Sequence, residues 1–301
     1  MRWRLGRRSS NIEDRRGGGG GMRVPVRLPF PSGGGGVRRA GGLGIGGILL
    51  ILVVSWLLGI DPSLLLGGGG TTVSVPASGR VAPTSAEEQE LSAFVAHVLG
   101  DTEDTWNTLF ADAGDTYREP TLVLFTGAVE SACGFQQSAV GPFYCPGDSK
   151  VYLDLGFFHE LKQRFQAPGD FARAYVIAHE VGHHIQNLLG ISREVQAAQR
   201  QTSREEANEL SVRLELQADC LAGVWAHHAE GRRDLLEAGD LEEGLTAASA
   251  IGDDTIQRRS QGYVVPESFT HGSAEQRVRW FRAGFEGGRM QACDTFNEPA
   301  A

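Results

Sequence analysis

Two histidines lie one helical turn apart, with a glutamate directly after the first, in a segment whose residue types suit metal chemistry. The segment 179–183 reads HEVGH. On a helix, residues i and i+4 project from one face, so His179 and His183 can bind a single ion at about 2.0–2.1 Å. Glu180 then lies beside the metal, where a carboxylate can take a proton from metal-bound water and pass it to a leaving amine. The spacing predicts a Zn²⁺ site that hydrolyses peptide bonds.

The residues around this motif favour a metal site over two ordinary histidines. HExxH is short enough to arise by chance, so the motif alone is a hypothesis. The preceding turn, 176–178, is apolar, which predicts that the histidines emerge from a buried helix. Burying two imidazoles and a carboxylate without a metal or other partner would be costly. Gly182 lacks a side chain and therefore predicts the close approach of another element.

A zinc site needs a third protein ligand, and Glu215 is the candidate. It lies in the segment LELQADC of a second long predicted helix. Asp219 is four residues further along the same face, where it can hold the free ring nitrogen of a histidine ligand. The alternative is a pair of solvated acids, which we expect for the glutamates within 205–209. The apolar run CLAGVWA that follows Asp219 argues against that alternative.

A later histidine, His271, lies just before another predicted helix. There it could donate a hydrogen bond to the oxyanion of a tetrahedral intermediate, although an ordinary histidine in a helix-entry loop is an equal alternative. Arg277, on that helix, is expected to pair with Asp219 or otherwise support the site. The remaining histidines are not predicted to be ligands: His97, His159, His184, His227 and His228.

The elements that must position these residues indicate an α+β fold, mostly helical with a small sheet. Apolar runs at 120–125 and 150–155 are predicted strands. The helix of the metal motif is predicted to begin at Asp170 and to end by Gly190. Cap residues followed three positions later by Glu or Gln predict four more helices. These begin near Ser85, at Ser203 with Gly231 as terminator, at 240 running to about 259, and at 273 running to about 286.

Four cysteines are present, Cys133, Cys145, Cys220 and Cys293, and none forms a CxxC pair. This spacing argues against a structural zinc knuckle. An even number in an extracytoplasmic domain indicates disulfides, with Cys133 pairing Cys145 and Cys220 pairing Cys293. Buried free thiols are the alternative.

The N-terminal third has the composition of a membrane anchor. Residues 40–60 contain no charge and are long enough, at about 20 residues, to cross a hydrocarbon layer. The positive-inside rule places the arginine-rich, glycine-rich arm 1–39 in the cytoplasm. We therefore predict a single-pass cell-membrane protein with a disordered arm, a transmembrane helix at 40–60, a flexible linker at 61–85 and an extracytoplasmic metallopeptidase domain at 86–298. A cleaved signal peptide and a buried core helix are the alternatives.

The charge distribution limits the partners. The net charge is −9, and residues 1–39 carry ten arginines against two acids, so the remainder carries −17. An acidic body argues against nucleic-acid binding, which needs clustered Lys and Arg. The predicted partners are a protein or peptide substrate and, through 40–60, a membrane.

Four blocks of the sequence, in order, resemble the bacterial neutral zinc metallopeptidase family over about residues 80–298. The blocks are SACG…GPFYCPGD…VYLDLGFF, FARAYVIAHEVGHHIQ, RLELQADCLAGVWA and HGSAEQRVRWF. The catalytic segment also resembles that of HtpX-like and prenyl-protein peptidases, which share HExxH, a downstream ExxAD and a late His-x₅-Arg element.

The resemblance implies a zincin-like domain of the gluzincin type and a role for each site residue. His179, His183 and Glu215 would be the zinc ligands and Glu180 the general base. Asp219 would act behind the ligands, and His271 would stabilise the transition state. The strand at 152–155 would pair with extended substrate.

The favoured function is therefore a membrane-anchored, zinc-dependent endopeptidase. A non-catalytic, membrane-anchored binding module that retains zinc is the alternative from another class, although the presence of Glu180 argues against it. A metal-dependent hydrolase of non-peptide bonds would use the same site chemistry and stays open.

Overall fold

The structure is a computed structural model that describes residues 1–16 and 85–297. It confirms an α+β fold in which helices dominate and the sheet is small. The helices are α1 (Ala86–Asp112), α2 (Gly156–Gln163), α3 (Asp170–Leu188), α4 (Ile191–Gln199), α5 (Arg204–Arg233), α6 (Asp240–Ala250), α7 (Asp253–Gln261) and α8 (Ala274–Gly287). The strands are β1 (Ile12–Asp14), β2 (Thr121–Phe125), β3 (Ala128–Ser131), β4 (Gly134–Gln137), β5 (Phe143–Cys145) and β6 (Lys150–Asp154).

The main sheet has four strands in the order β1-β2-β6-β5. Strands β1, β2 and β6 run parallel to one another, and β5 runs antiparallel to β6. Strand β6 pairs with β2 over its whole length but with β5 only through Lys150, Val151 and Tyr152. Of the segment 152–155, Tyr152 is thus paired on both sides, and the pairing of this segment with substrate stays a prediction. The outer strand next to β6 is β5.

The first sixteen residues fold with residues 85–297, so the prediction of a disordered arm over 1–39 is wrong for 1–16, while 17–39 lies outside the described residues. Strand β1 extends the main sheet, and Trp3 is buried in the core with its ring edge-on to Phe94. Strand β1 itself, Ile-Glu-Asp, carries none of the alternating apolar pattern by which a strand is found in a sequence. Its order comes from long-range pairing with β2.

The predicted transmembrane helix at 40–60 and most of the linker at 61–85 lie outside the described residues. Within 1–16 and 85–297, no helix is both long and apolar enough to cross a membrane.

Close helix contacts around α5 build the core that positions the site. Helices α3 and α8 both pack along α5. A Cβ atom on Gly182 would lie 2.9 Å from the backbone oxygen of Ala218, so the predicted close approach at this glycine is confirmed. On the other side of α5, Gly223 and Gly284 allow the backbones of α5 and α8 to meet.

Helix boundaries follow the predicted caps more closely than the predicted ends. The capping boxes at Ser85, Ser203 and Ser273 are all present. Helix α5 continues past Gly231, because the chain turns only at Asp234, which adopts the left-handed conformation with φ 52°. The helix predicted at 240–259 is instead two helices, α6 and α7.

Both predicted disulfides are confirmed. Cys133 is bonded to Cys145 and closes the loop that carries β4, and Cys220 is bonded to Cys293. The second bond ties the C-terminal 3₁₀ turn to the middle of α5, the helix that also carries Glu215. Closing so long a loop limits the unfolded chain and stabilises the fold by about 4 kcal/mol in the chain-entropy account.

Candidate metal centre and active site

Helices α3 and α5 bring the three predicted ligands together. The Nε2 atom of His179 lies 3.2 Å from Oε2 of Glu215, and Nε2 of His183 lies 3.4 Å from Oε1 of the same carboxylate. Ligand atoms at about 2.0–2.1 Å from a tetrahedral zinc ion are roughly 3.3–3.4 Å apart. The observed spacing therefore fits zinc, and these three residues form the one cluster of suitable donors found among the described residues.

Hydrogen bonds hold both imidazoles with the correct nitrogen facing the cluster. Nδ1 of His179 lies 2.8 Å from Oδ1 of Asp219, and Nδ1 of His183 lies 2.9 Å from Oε1 of Gln186. Because both partners are acceptors, each Nδ1 carries the proton and each Nε2 keeps its lone pair for a metal. The donor set thus has the chemistry of a zinc site before any ion is considered.

Asp219 is the centre of a buried ionic network behind His179. Its side chain is 0% exposed, and its Oδ2 accepts a hydrogen bond from Nε of Arg277 at 2.8 Å. Tyr175 donates its hydroxyl hydrogen to Oδ1 at 2.5 Å, and Nη2 of Arg277 also donates to Oδ1 at 3.0 Å. The expected pairing of Arg277 with Asp219 is present, and it balances a carboxylate that has no access to water.

Gln186 is a positioning residue that sequence reasoning missed. Its amide NH₂ donates to the backbone oxygen of Leu214 at 2.6 Å and to Oε1 of Gln217 at 3.1 Å. Those two bonds fix the amide so that its oxygen faces His183. The only signal in the sequence was the spacing, since Gln186 follows His183 by three residues on one helix. Tyr175, four residues before His179, was missed in the same way.

Burial disfavours the charged forms of His179 and Glu215, and the opposite charges around each residue favour those forms. Burial disfavours charge on His179, but Asp219 and Glu215 outweigh it and raise the pKa of His179 to about 10. Burial likewise opposes ionisation of Glu215, yet His183 and His179 hold the pKa of that carboxyl well below its ordinary value. Protons and a divalent ion therefore compete for the same ring nitrogens, which makes metal affinity depend on pH.

Glu180 lies in the wall of an open cavity that also contains the three candidate ligands. The cavity has a volume of about 480 Å³. Burial raises the pKa of Glu180, and the neighbouring histidines oppose that shift. A carboxyl with a raised pKa is better matched to proton transfer near neutral pH.

His271 lies in the wall of the same cavity, and Asp253 positions it. Its backbone N–H donates to Oδ2 of Asp253 at 2.6 Å, while its Nδ1 lies 3.3 Å from Oδ1 of that residue. The hydrogen bond that the His271 ring donates to Asp253 raises the pKa of His271. A histidine held this way can present Nε2–H to the cavity, as an oxyanion donor must. Asp253 was not singled out in the sequence.

His184 turns away from the cluster, as its position on the helix predicts. Its two ring nitrogens lie 3.0 Å from the Tyr144 hydroxyl and 2.6 Å from the backbone oxygen of Arg118. Burial lowers the pKa of His184 to about 4. It is a structural histidine that joins α3 to the sheet side of the domain.

We expect His184 to make the fold sensitive to acid. The pKa of His184 in the folded protein lies below its ordinary 6.5. As the pH falls from about 6.5 to about 4, this histidine therefore takes up a proton in the unfolded chain but not in the folded protein. Stability is full above that window and falls within it by up to roughly 3 kcal/mol. Urea unfolding of wild type and His184→Gln between pH 7 and 4 measures this. The variant should lose less stability over that range, whereas the exposed control His159→Gln should follow wild type. Parallel curves for all three proteins would refute the assignment.

Comparisons with known proteins agree with this geometry. The model of a family described as "Putative neutral zinc metallopeptidase" matches residues 1–296. Uncharacterized protein YpfJ of Escherichia coli strain K12 is 47% identical over 298 residues, covering 99% of both chains. Uncharacterized protein Mb2605 of Mycobacterium bovis is 40% identical over 262 residues, covering 80% of this chain and 84% of that protein. No solved structure matches. With nearly its whole length matched, the chain belongs to the neutral zinc metallopeptidase family.

Proposed function

We propose that the protein is a zinc-dependent endopeptidase in which His179, His183 and Glu215 hold the metal and Glu180 is the general base. One observation carries the proposal: the three donors converge at zinc spacing inside an open cavity that Glu180 also lines. When bound there, zinc supplies a Lewis acid that polarises the scissile carbonyl and acidifies water.

The residues of the chain divide the remaining work. Glu180 takes the proton from the attacking water and returns it to the departing amine. Asp219 and Gln186 keep the two imidazoles aligned through their Nδ1 atoms. His271 donates a hydrogen bond to the oxygen that becomes negative as the carbonyl carbon turns tetrahedral.

Strand β5 is suited to hold an extended substrate backbone. It is the last strand of the main sheet, and no described strand pairs with its outer edge. Phe143 and Tyr144 of β5 line the cavity of the metal cluster. An extended peptide added to this edge gains main-chain hydrogen bonds regardless of its sequence.

The cavity walls favour a bulky apolar side chain next to the scissile bond. Apolar residues supply much of the lining, including Val140, Phe157, Phe165, Ile251 and Ile256. Burying a Phe or Leu side chain against such walls contributes about 1.5–3 kcal/mol.

The charges of the lining support cleavage within a chain rather than at its end. Apart from histidines, the described lining contains one basic residue, Arg277. Asp219 already neutralises its charge. The acids that line the cavity are Glu180 and Glu215, both committed to the proposed chemistry. No described lining group is thus free to bind a terminal carboxylate or ammonium.

The test is hydrolysis of internally quenched peptides with both termini blocked. We expect zinc-dependent cleavage that is at least about tenfold faster when Phe or Leu flanks the scissile bond than when Asp does, which corresponds to about 1.4 kcal/mol. A chelator should abolish cleavage and added zinc should restore it. Cleavage confined to peptides with free termini would contradict endopeptidase action. Stoichiometric zinc without hydrolysis of any peptide would favour the binding module.

We further propose that the catalytic domain acts outside the cytoplasm. The two disulfides support this, because such bonds persist in oxidising compartments. Attachment to the cell membrane through 40–60 stays a prediction from the sequence.

A further inference from the structure

The first sixteen residues are attached to the catalytic domain along their whole length. Strand β1 adds to β2 in parallel register, with Ile12 opposite Leu122 and Asp14 opposite Leu124. Beyond the strand, the Arg15 amide donates to the Leu124 oxygen at 2.8 Å. A segment that completes a sheet edge is part of the fold and not an appendage.

Buried polar groups add specificity to this attachment. The hydroxyl of Ser9 donates to Oε1 of Glu103 at 2.6 Å, and both residues are buried. Arg7 forms an ion pair with the other oxygen of Glu103 at 2.7 Å. Removing residues 1–16 would leave the Glu103 carboxylate in α1 without these partners.

The surface of α1 is shaped to receive this segment. A Cβ atom on Gly100 would lie 2.7 Å from the backbone oxygen of Arg7 and 2.9 Å from the amide of Ser9. The amide of Ser9 donates to the backbone oxygen of Ala96 at 2.8 Å. The backbone of the segment therefore lies directly against the helix backbone, and glycine is the residue that permits it.

The described residues on either side of 17–84 contact each other. Arg16 donates through Nη1 to the backbone oxygen of Glu88 at 3.3 Å, and Arg4 forms an ion pair with Glu90 at 2.5 Å. Glu88 lies in the first turn of α1, three residues after Ser85.

We propose that residues 1–16 and 85–297 fold together on one side of any membrane the protein meets. The chain between them therefore does not pass from one side of a bilayer to the other in a single crossing. A single crossing would place β1 and β2 in different compartments and make their pairing impossible. The proposal replaces the predicted cytoplasmic position of the N-terminus and does not rest on the proposed catalysis.

The test places two reporter cysteines in one full-length chain, Ser10→Cys and Asp112→Cys. Both side chains are exposed, and in the chain they lie before and after residues 17–84. Bacterial cells that express this variant are treated with a membrane-impermeant maleimide before or after lysis, and labelling of each peptide is read by mass spectrometry. We expect the two peptides to respond alike, both labelled in intact cells or both only after lysis. Labelling of one before lysis and the other only after it would overturn the proposal.

A second measurement tests the docking in the purified full-length protein by hydrogen exchange. We expect the amides of Ser9 and Arg15 to exchange at least about 100-fold more slowly than in an unfolded peptide. Gly100→Leu should remove the protection at Ser9 while the amides of β6 stay protected. The matched control is Gly231→Leu, because Gly231 lies in α5 with open space around it. Unprotected amides at both Ser9 and Arg15 in wild type would overturn the proposal independently of any cell experiment.

Discussion

Replacing Glu180 with Gln is expected to lower kcat/KM for peptide hydrolysis by roughly 10²–10⁴-fold, the usual contribution of a positioned general base. The variant should still hold one zinc ion per chain, because Glu180 is not among the three converging donors. Gln matches Glu in shape and cannot accept a proton from water. The measurement is steady-state hydrolysis of a blocked peptide beside the zinc content of the same samples.

The same substitution should not weaken the fold. Burial raises the pKa of Glu180, so its charge is unfavourable in the folded state and a neutral amide removes that cost. We therefore expect a Tm equal to or above that of wild type. Glu205→Gln, at an exposed position in the first turn of α5, is the control and should keep full activity. Full activity in Glu180→Gln would remove Glu180 from the mechanism, whereas a lost metal would place it among the ligands.

Replacing Asp219 with Asn is expected to have the largest effect on stability. Asp219 is 0% exposed and Arg277 is 2% exposed, so the substitution leaves a buried guanidinium without a counter-charge. Removing one partner of such a pair costs about 3–5 kcal/mol. Because Asp219 also orients His179, zinc affinity should fall by about 10–100-fold. Urea unfolding of the metal-free protein measures the first effect, and competition with a zinc chelator measures the second.

A double variant separates the two roles of Asp219. Combining Asp219→Asn with Arg277→Met removes the unpaired charge, so much of the lost stability should return. Zinc affinity should stay low, since the carboxylate partner of His179 is still absent. Stability losses that simply add in the double variant would show that the pair is not coupled. Unchanged zinc affinity in either variant would show that His179 needs no carboxylate partner.

Prediction from the sequence succeeded for side chains whose relative positions are set by the geometry of a single helix. The spacing of His179 and His183 on α3, and of Glu215 and Asp219 on α5, placed all four side chains on facing surfaces. The capping boxes at Ser85, Ser203 and Ser273 located three helix starts for the same reason. The pairing of the four cysteines followed from their order in the chain.

Contacts between distant parts of the chain could not be predicted in this way. Gln186 orients His183 only because the Leu214 oxygen and Gln217 fix its amide. Strand β1 has three residues, Ile-Glu-Asp, and its partner β2 begins more than a hundred positions later in the chain. The sequence likewise does not reveal that β5 folds back beside the first three residues of β6.

Zinc K-edge X-ray absorption of the purified protein shows whether His179, His183 and Glu215 jointly bind one zinc ion. We expect one ion per chain with two imidazole nitrogens and only oxygen otherwise, at about 2.0–2.1 Å. A sulfur ligand near 2.3 Å would contradict it. So would a spectrum that is unchanged in Glu215→Ala.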